Sequence, residues 1–305
     1  MVRFKVSNKK LLVICAFIAI YFIWGTSYLA ISFALKGFMP FTISALRYLA
    51  AGIILSAWIC YKKTKLPKPK DIKILIISGV LMLTGGSGLV VVGEQYISSG
   101  AAAVIVATEP LFFLLLDRSR WTFYFADKRI ITGLIIGFVG IVLFTYFAPD
   151  NKTEIQSHPI FGAVITILSA ISWVIGVLYA NKNLSSTNST MVNSAVQLIS
   201  GGICSSFIAG LMGEWPHLLL RPIPTIAWIG LIYLVIMGSL LAYLSFNYLV
   251  TVQPPAIVST HTYVNPIIAI LMGWMLASEN VSVWQLAAVV FVLGGVLITQ
   301  IFKPK

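Results

Sequence analysis

The sequence predicts an all-α integral membrane protein: ten transmembrane helices, arranged as two inverted five-helix repeats, with both termini cytoplasmic. Three observations carry this. Apolar residues make up 59% of the chain and charged residues only 10%, where a soluble domain carries about 25% charged residues. Most of the chain therefore has no water to face. The apolar residues fall into ten runs, each near the roughly 20 residues that a helix needs to cross the hydrocarbon core. Lys and Arg crowd into alternate connections between those runs, as orientation signals do.

The runs are 11–35, 40–61, 72–93, 99–116, 129–147, 159–180, 189–212, 225–250, 254–277 and 283–302. Arg3, Lys5, Lys9 and Lys10 precede the first run, which outlasts the about 7–15 apolar residues of a secretory signal and reads as an uncleaved span. The third run contains Gly85, Gly86, Ser87 and Gly88; the ninth contains His261, Thr262 and Asn265. Both remain long enough to cross. With the N-terminus inside, the inner segments hold 17 of the 21 Lys and Arg residues. The outer segments hold Lys36, Lys152 and Arg221, and Arg47 lies within a run. That bias puts both ends on the cytoplasmic side and requires an even number of crossings. Trp58, Tyr61, Trp215 and Trp284 stand at run ends, where interfacial aromatic belts form.

The outer connections at 148–158 and 213–224 are too short for a soluble domain, so any chemistry lies within or beside the bilayer. The net charge of +12 is distributed as orientation signals, not as a nucleic-acid footprint. Cys15, Cys60 and Cys204 sit in separate runs, without metal-ligand spacing or a disulfide framework. No metal or other cofactor is expected. A phosphate loop, a His-Glu-x-x-His pattern and a Ser-His-Asp set are all missing from the sequence, which argues against an enzyme.

Internal repetition comes next. Thr108-Glu109-Pro110-Leu111-Phe112 in the fourth run matches Val264-Asn265-Pro266-Ile267-Ile268 in the ninth. Gly140-Ile141-Val142-Leu143 matches Gly295-Val296-Leu297-Ile298. Trp24 pairs with Trp173, and Tyr96 with Tyr248. These matches define two units, 1–147 and 148–305. Five crossings is an odd number, so the second unit starts on the opposite face. Inverted repeats of this kind mark many secondary transporters.

The chain also resembles the ten-helix EamA-type permeases of the drug/metabolite transporter superfamily. The likeness rests on Trp24-Gly25-Thr26-Ser27-Tyr28, Leu46-Arg47-Tyr48-Leu49-Ala50 and Ala107-Thr108-Glu109-Pro110-Leu111. In the second half it rests on Tyr263-Val264-Asn265-Pro266, Gly273-Trp274, Glu279 and Gly294-Gly295-Val296-Leu297. It spans essentially the whole chain. The resemblance implies a central cavity with the fifth and tenth helices peripheral. It also implies export of small metabolites such as amino acids or drugs, from a cell membrane that is most naturally a bacterial inner membrane. One departure is visible: the acidic residue usual after the fourth helix's break is replaced by Asp117-Arg118-Ser119-Arg120 and a longer aromatic and basic loop.

Ionisable groups inside a membrane cost roughly 2.5–3.5 kcal/mol each on insertion scales, so each one in a span is a candidate. Glu109 falls roughly 15 Å into its run at 1.5 Å per residue, near the midplane. It reads either as a proton-coupling or substrate-amine site, or as a carboxyl kept protonated or paired with Arg47. Arg47 could bind a substrate carboxylate bidentately, snorkel outward, or pair with Glu94 or Glu109. Pro110 and Pro266 each deprive a preceding carbonyl, on Val106 and Thr262, of its helical donor. Broken helices in corresponding positions point to a transport site, and a packing kink is the plainer reading. His261 and Asn265 make the ninth run the most polar, Asn265 standing opposite Glu109 in the repeat. Trp24, Tyr28, Tyr48, Tyr243, Asn247 and Tyr263 are candidates for an aromatic and polar cavity wall. Gly85, Gly86 and Gly88 would let the third helix flex or admit a neighbour. Gly133 and Gly137 suggest close packing, within the bundle or across a homodimer.

These observations read as a secondary transporter of a small-molecule substrate working by alternating access, with proton coupling through Glu109 in view. An intramembrane lipid-modifying enzyme and a channel are the alternatives.

Overall fold

The computed structural model describes residues 8–97, 99–147, 158–185, 189–220, 222–277 and 282–300. Lys152, Arg221 and Glu279 lie outside the described residues. The described elements are helical throughout: α1 Asn8–Ala34, α2 Pro40–Tyr61, α3 Pro69–Gly93, α4 Ser99–Leu116, α5 Lys128–Tyr146, α6 Pro159–Asn183, α7 Thr190–Leu211, α8 Thr225–Val252, α9 Pro255–Val258 continuing as His261–Ala277, and α10 Val283–Gln300. Short helices at Trp121–Ala126 and His217–Leu220 lie in connections. Seven of these helices, α1 to α4 and α6 to α8, are long and apolar enough among the described residues to cross a membrane.

Helices satisfy their own backbone hydrogen bonds, which is what a solvent without donors or acceptors demands. Their side chains are sorted accordingly. Leu11, Ile14, Ile18 and Phe22 form one exposed stripe along α1 at helical spacing. Arg47, Glu109, Gln197, Asn247, His261 and Asn265 are buried inside the bundle. The exposed face is apolar because lipid is the solvent, and the costly polar groups turn inward.

The packing follows a regular scheme. Helix α1 packs on α8 and α9, while α6 packs on α3 and α4; α2 pairs with α7, and α5 with α10. The α5–α10 contact explains the glycine pattern. A Cβ on Gly295 would run into the Gly137 nitrogen and stand 2.6 Å from the Gly133 carbonyl oxygen. The Gly133 and Gly137 pair therefore packs within the chain.

Helix α2 begins with Pro40 in its first turn, after Met39, which supplies no side-chain cap. The cap arrives from a distant connection. The Glu214 carboxylate accepts from Thr42 N at 2.7 Å, Phe41 N at 3.3 Å and Thr42 Oγ1 at 3.0 Å. A carboxylate at a helix N-terminus also meets the positive end of the helix dipole.

Two helices are wound differently in the middle. Val80–Gly88 of α3 and Leu234–Ala242 of α8 are π-helical, nine residues each. Such winding is rare overall and concentrated at functional sites. Helix α4 is broken: Ser99–Val106 ends, residues 107–108 turn, and Glu109–Leu116 restarts with Pro110 in its first turn. Thr108 Oγ1 donates to Ile105 O at 2.7 Å across the turn. In α9 the break falls at residues 259–260, where Thr260 Oγ1 donates to Ile257 O at 2.7 Å and Thr262 Oγ1 to Ser259 O at 2.8 Å. Pro266 lies inside the continuing helix. The expected pairing of breaks at the two prolines thus holds for Pro110 and is displaced upstream of Pro266. Hydroxyl residues stabilise a tight turn there through side-chain-to-backbone bonds.

Candidate functional site

The broken helix, both π segments and α1, α2, α6 and α9 surround one cavity. Its free interior is about 80 Å³, below the roughly 300–1,000 Å³ typical of small-molecule sites. Its wall carries Trp24, Tyr28, Arg47, Tyr48, Gly86, Glu109, Tyr243, His261 and Asn265 from the sequence-derived candidates. The winding of α3 and α8 matters here. Each π segment delivers a Gly-Ser pair to the wall, Gly86-Ser87 on one side and Gly238-Ser239 on the other.

The α4 break puts Glu109 at the start of a new helical segment, 5% exposed. Its Oε2 has no hydrogen-bond partner among the described residues, and neither do Tyr48 Oη and Trp173 Nε1 in the same wall. Arg47, also 5% exposed, donates from Nε to Ser239 Oγ at 2.7 Å and lies over the Tyr48 ring at 5.2 Å from its centroid. The ion pairs among the described residues are Arg120–Asp117 at 3.7 Å and Arg129–Asp127 at 4.0 Å. Arg47 takes a hydroxyl of the opposite half as its partner, where a pairing with Glu94 or Glu109 was one expectation. Glu94 follows the last turn of α3, and neither of its carboxylate oxygens has a hydrogen-bond partner among the described residues.

An aromatic group floors the cavity. The Trp24 ring stands 4.7 Å from His261, 5.3 Å from Phe246 and 5.6 Å from Trp173, centroid to centroid. Trp24 Nε1 donates to Gly238 O at 3.3 Å. On the opposite side, a Cβ on Gly86 would meet the Trp173 ring at 3.0 Å. The two tryptophans thus face the two π segments. His261 Nδ1 and Asn265 Nδ2 are 3.2 Å apart, one helical turn along α9.

Two candidates for the wall lie elsewhere. Tyr263 donates to Leu134 O at 3.1 Å and packs on Gly137, facing α5. Asn247 joins a hydrogen-bonded group with Ser194 and Gln197. Pro110, Pro266, Gly85 and Gly88 do not line the cavity; Gly85 and Gly88 admit Ser172 and Ser44 to the helix. Sequence reasoning missed Ser27, Ser87, Ser169 and Ser239 in the wall. The recurrence of Gly-Ser in the third helix of each half was a signal for two of them. The loop at 117–126 folds on itself: Asp117 accepts from Ser119 Oγ at 2.7 Å and Tyr124 Oη at 2.8 Å. Burial and the adjacent Asp117 carboxylate hold the Tyr124 hydroxyl well above the ordinary tyrosine range.

Apolar helices around a mostly apolar cavity that holds an arginine and a glutamate are those of a multi-pass membrane protein, and the family match makes it one of the transporter class. The chain belongs to the EamA-like transporter family, whose sequence model matches it twice, over residues 11–146 and 160–301. It is 31% identical over 288 residues to the uncharacterized inner membrane transporter YedA of Escherichia coli (strain K12), covering 93% of this chain and 89% of that protein. It is 27% identical over 285 residues to Protein PecM of Dickeya dadantii (strain 3937), covering 91% and 89% respectively. A solved structure, described only as the crystal structure of a protein, aligns with a TM-score of 0.72 at 15% identity, covering 94% of this chain and 95% of that one. That likeness is one of fold.

Proposed function

We propose that the chain is a ten-span secondary transporter of the inner membrane, exporting small metabolites such as amino acids or drugs by alternating access, with proton coupling through Glu109. Both termini are cytoplasmic in this reading, and residues 1–147 and 148–305 are inverted five-helix repeats. The double match to the family and the reciprocal packing of α1 and α6 support the repeats.

The observation that carries the reading is the state of the cavity's charged groups. Arg47 and Glu109 line one cavity, and no ion pair joins them. A buried polar group left without a partner costs about 1–3 kcal/mol, more when charged. Glu109 Oε2, Tyr48 Oη and Trp173 Nε1 stand in that condition around one shared cavity. A solute with a carboxylate for Arg47 and an ammonium for Glu109 satisfies both. A lipid-modifying enzyme would instead need its reactive groups at one interface.

Uptake by proteoliposomes, with amino acids as the first solutes, tests the reading. A saturable, pH-dependent flux is expected. Glu109→Gln removes the pH dependence while the protein stays inserted. Flux that never saturates points to a channel. Unchanged pH dependence in Glu109→Gln refutes the coupling role.

A further inference from the structure

A second cavity lies end to end with the first. It has a free volume of about 520 Å³ and carries Arg120, Asn181, Ser185 and Thr251 near the connections after α4, α6 and α8. The two cavities share three helices, about one turn apart on α6 and α8. On α6 the first takes Ser169 and Trp173, the second Val177 and Asn181. On α8 the first takes Ser239 and Tyr243, the second Phe246 and Asn247; on α3 the boundary falls between Leu83 and Met82.

The layer between them is a closed hydrogen-bond group backed by rings. Gln197 of α7, 2% exposed, uses both ends of its amide. Nε2 donates to Ser78 Oγ of α3 at 2.9 Å, and Oε1 accepts from Tyr243 Oη at 2.9 Å and Asn247 Nδ2 at 3.0 Å, both on α8. Asn247 Nδ2 also donates to Ser194 Oγ at 2.8 Å. Trp173 lies 5.3 Å from Phe246 and 6.3 Å from Tyr243, centroid to centroid. Tyr243 is the member of the group that reaches the first cavity's wall.

We propose that Gln197 is the positioning residue of a gate between the two cavities: it fixes Tyr243 and Asn247 across the path, and solute passes when those bonds release. The inference rests on the transport reading of the first cavity. Gln197 ties α7 to both α3 and α8, so the bonds join helices from the two halves of the chain. Neutral hydrogen bonds suit a gate, since each contributes only about 0.5–1.5 kcal/mol net and can be exchanged for bonds to water or solute.

The test reads accessibility, not transport. In a chain with Cys15, Cys60 and Cys204 replaced by serine, Ser87→Cys places a thiol in the first cavity. A membrane-impermeant maleimide is applied to each face of oriented vesicles in turn, and a separate Asn181→Cys control identifies the face of the second cavity. Tyr243→Phe removes one bond of the group and keeps its apolar contacts. Labelling of the thiol at position 87 from the second cavity's face should then rise roughly two- to tenfold, the equivalent of one neutral bond. Gln197→Met, which removes the Gln197 bonds of the group and the one from Nε2 to Met82 Sδ at 3.8 Å, at nearly constant volume, should raise it further. Labelling from the opposite face should not rise. A rate unchanged in Tyr243→Phe, or a rise that is equal from both faces, overturns the proposal. If Gln197→Met does not insert, Tyr243→Phe alone decides. The transport reading is judged separately, on solute uptake by the unaltered chain.

Discussion

Replacing Arg47 with lysine separates charge from geometry. The guanidinium is anchored on one edge: Nε donates to Ser239 Oγ at 2.7 Å, and the plane lies over Tyr48. Anchored so, it offers a fork suited to two parallel bonds with a carboxylate. Lysine keeps the charge and supplies a point donor, so one charge-assisted bond is lost. Such a bond contributes about 1.5–3 kcal/mol, which is roughly ten- to a hundredfold in affinity. The assay is proteoliposome uptake of a carboxylate-bearing solute beside a matched amine without the carboxylate. Arg47→Lys should raise KM for the first by about that factor and leave the second within about twofold. An unchanged KM for the carboxylate solute, or an equal rise for both, refutes the assignment of Arg47 to the carboxylate.

Glu214→Ala strips three bonds from the first turn of α2 and leaves the Phe41 and Thr42 N–H groups without their acceptor. At about 1–3 kcal/mol for each orphaned donor, the detergent-solubilised protein should lose roughly 5–10 °C in Tm, read by thermal unfolding. Glu214→Gln, which retains an acceptor, should lose less. Reporter fusions at residues 305 and 152 should report the inside and the outside respectively; the same side for both rejects the inverted ten-span arrangement.

Much of the bundle was legible because the bilayer imposes a length and a polarity on every crossing. The cost of charged and polar groups in lipid made Arg47, Glu109, His261 and Asn265 conspicuous, and all four face one cavity. Other features were not legible for physical reasons. Serines are ordinary in helices, and only the direction each faces separates Ser239 in the wall from Ser245 on the surface. Asn247 and Tyr243 lie one turn apart on the same face, and that turn carries Asn247 past the first cavity. The π winding has no residue signature. Gly85, Gly86 and Gly88 foretold close neighbours, which α6 and α2 provide, but not the coil that brings Ser87 inward. Pro266 looked like the counterpart of Pro110, yet the turn went to the hydroxyl run at 259–262, which can bond its own backbone.

The separation of Arg47 from the Glu109 carboxylate has an electrical consequence. A solute carrying both a carboxylate and an ammonium is neutral overall, so the transmembrane potential does no net work on the solute itself. Voltage then acts on whatever ion travels with it, at about 2.3 kcal/mol per elementary charge for each 100 mV. A current recorded during the flux of a zwitterion would therefore count directly whatever charges travel with it.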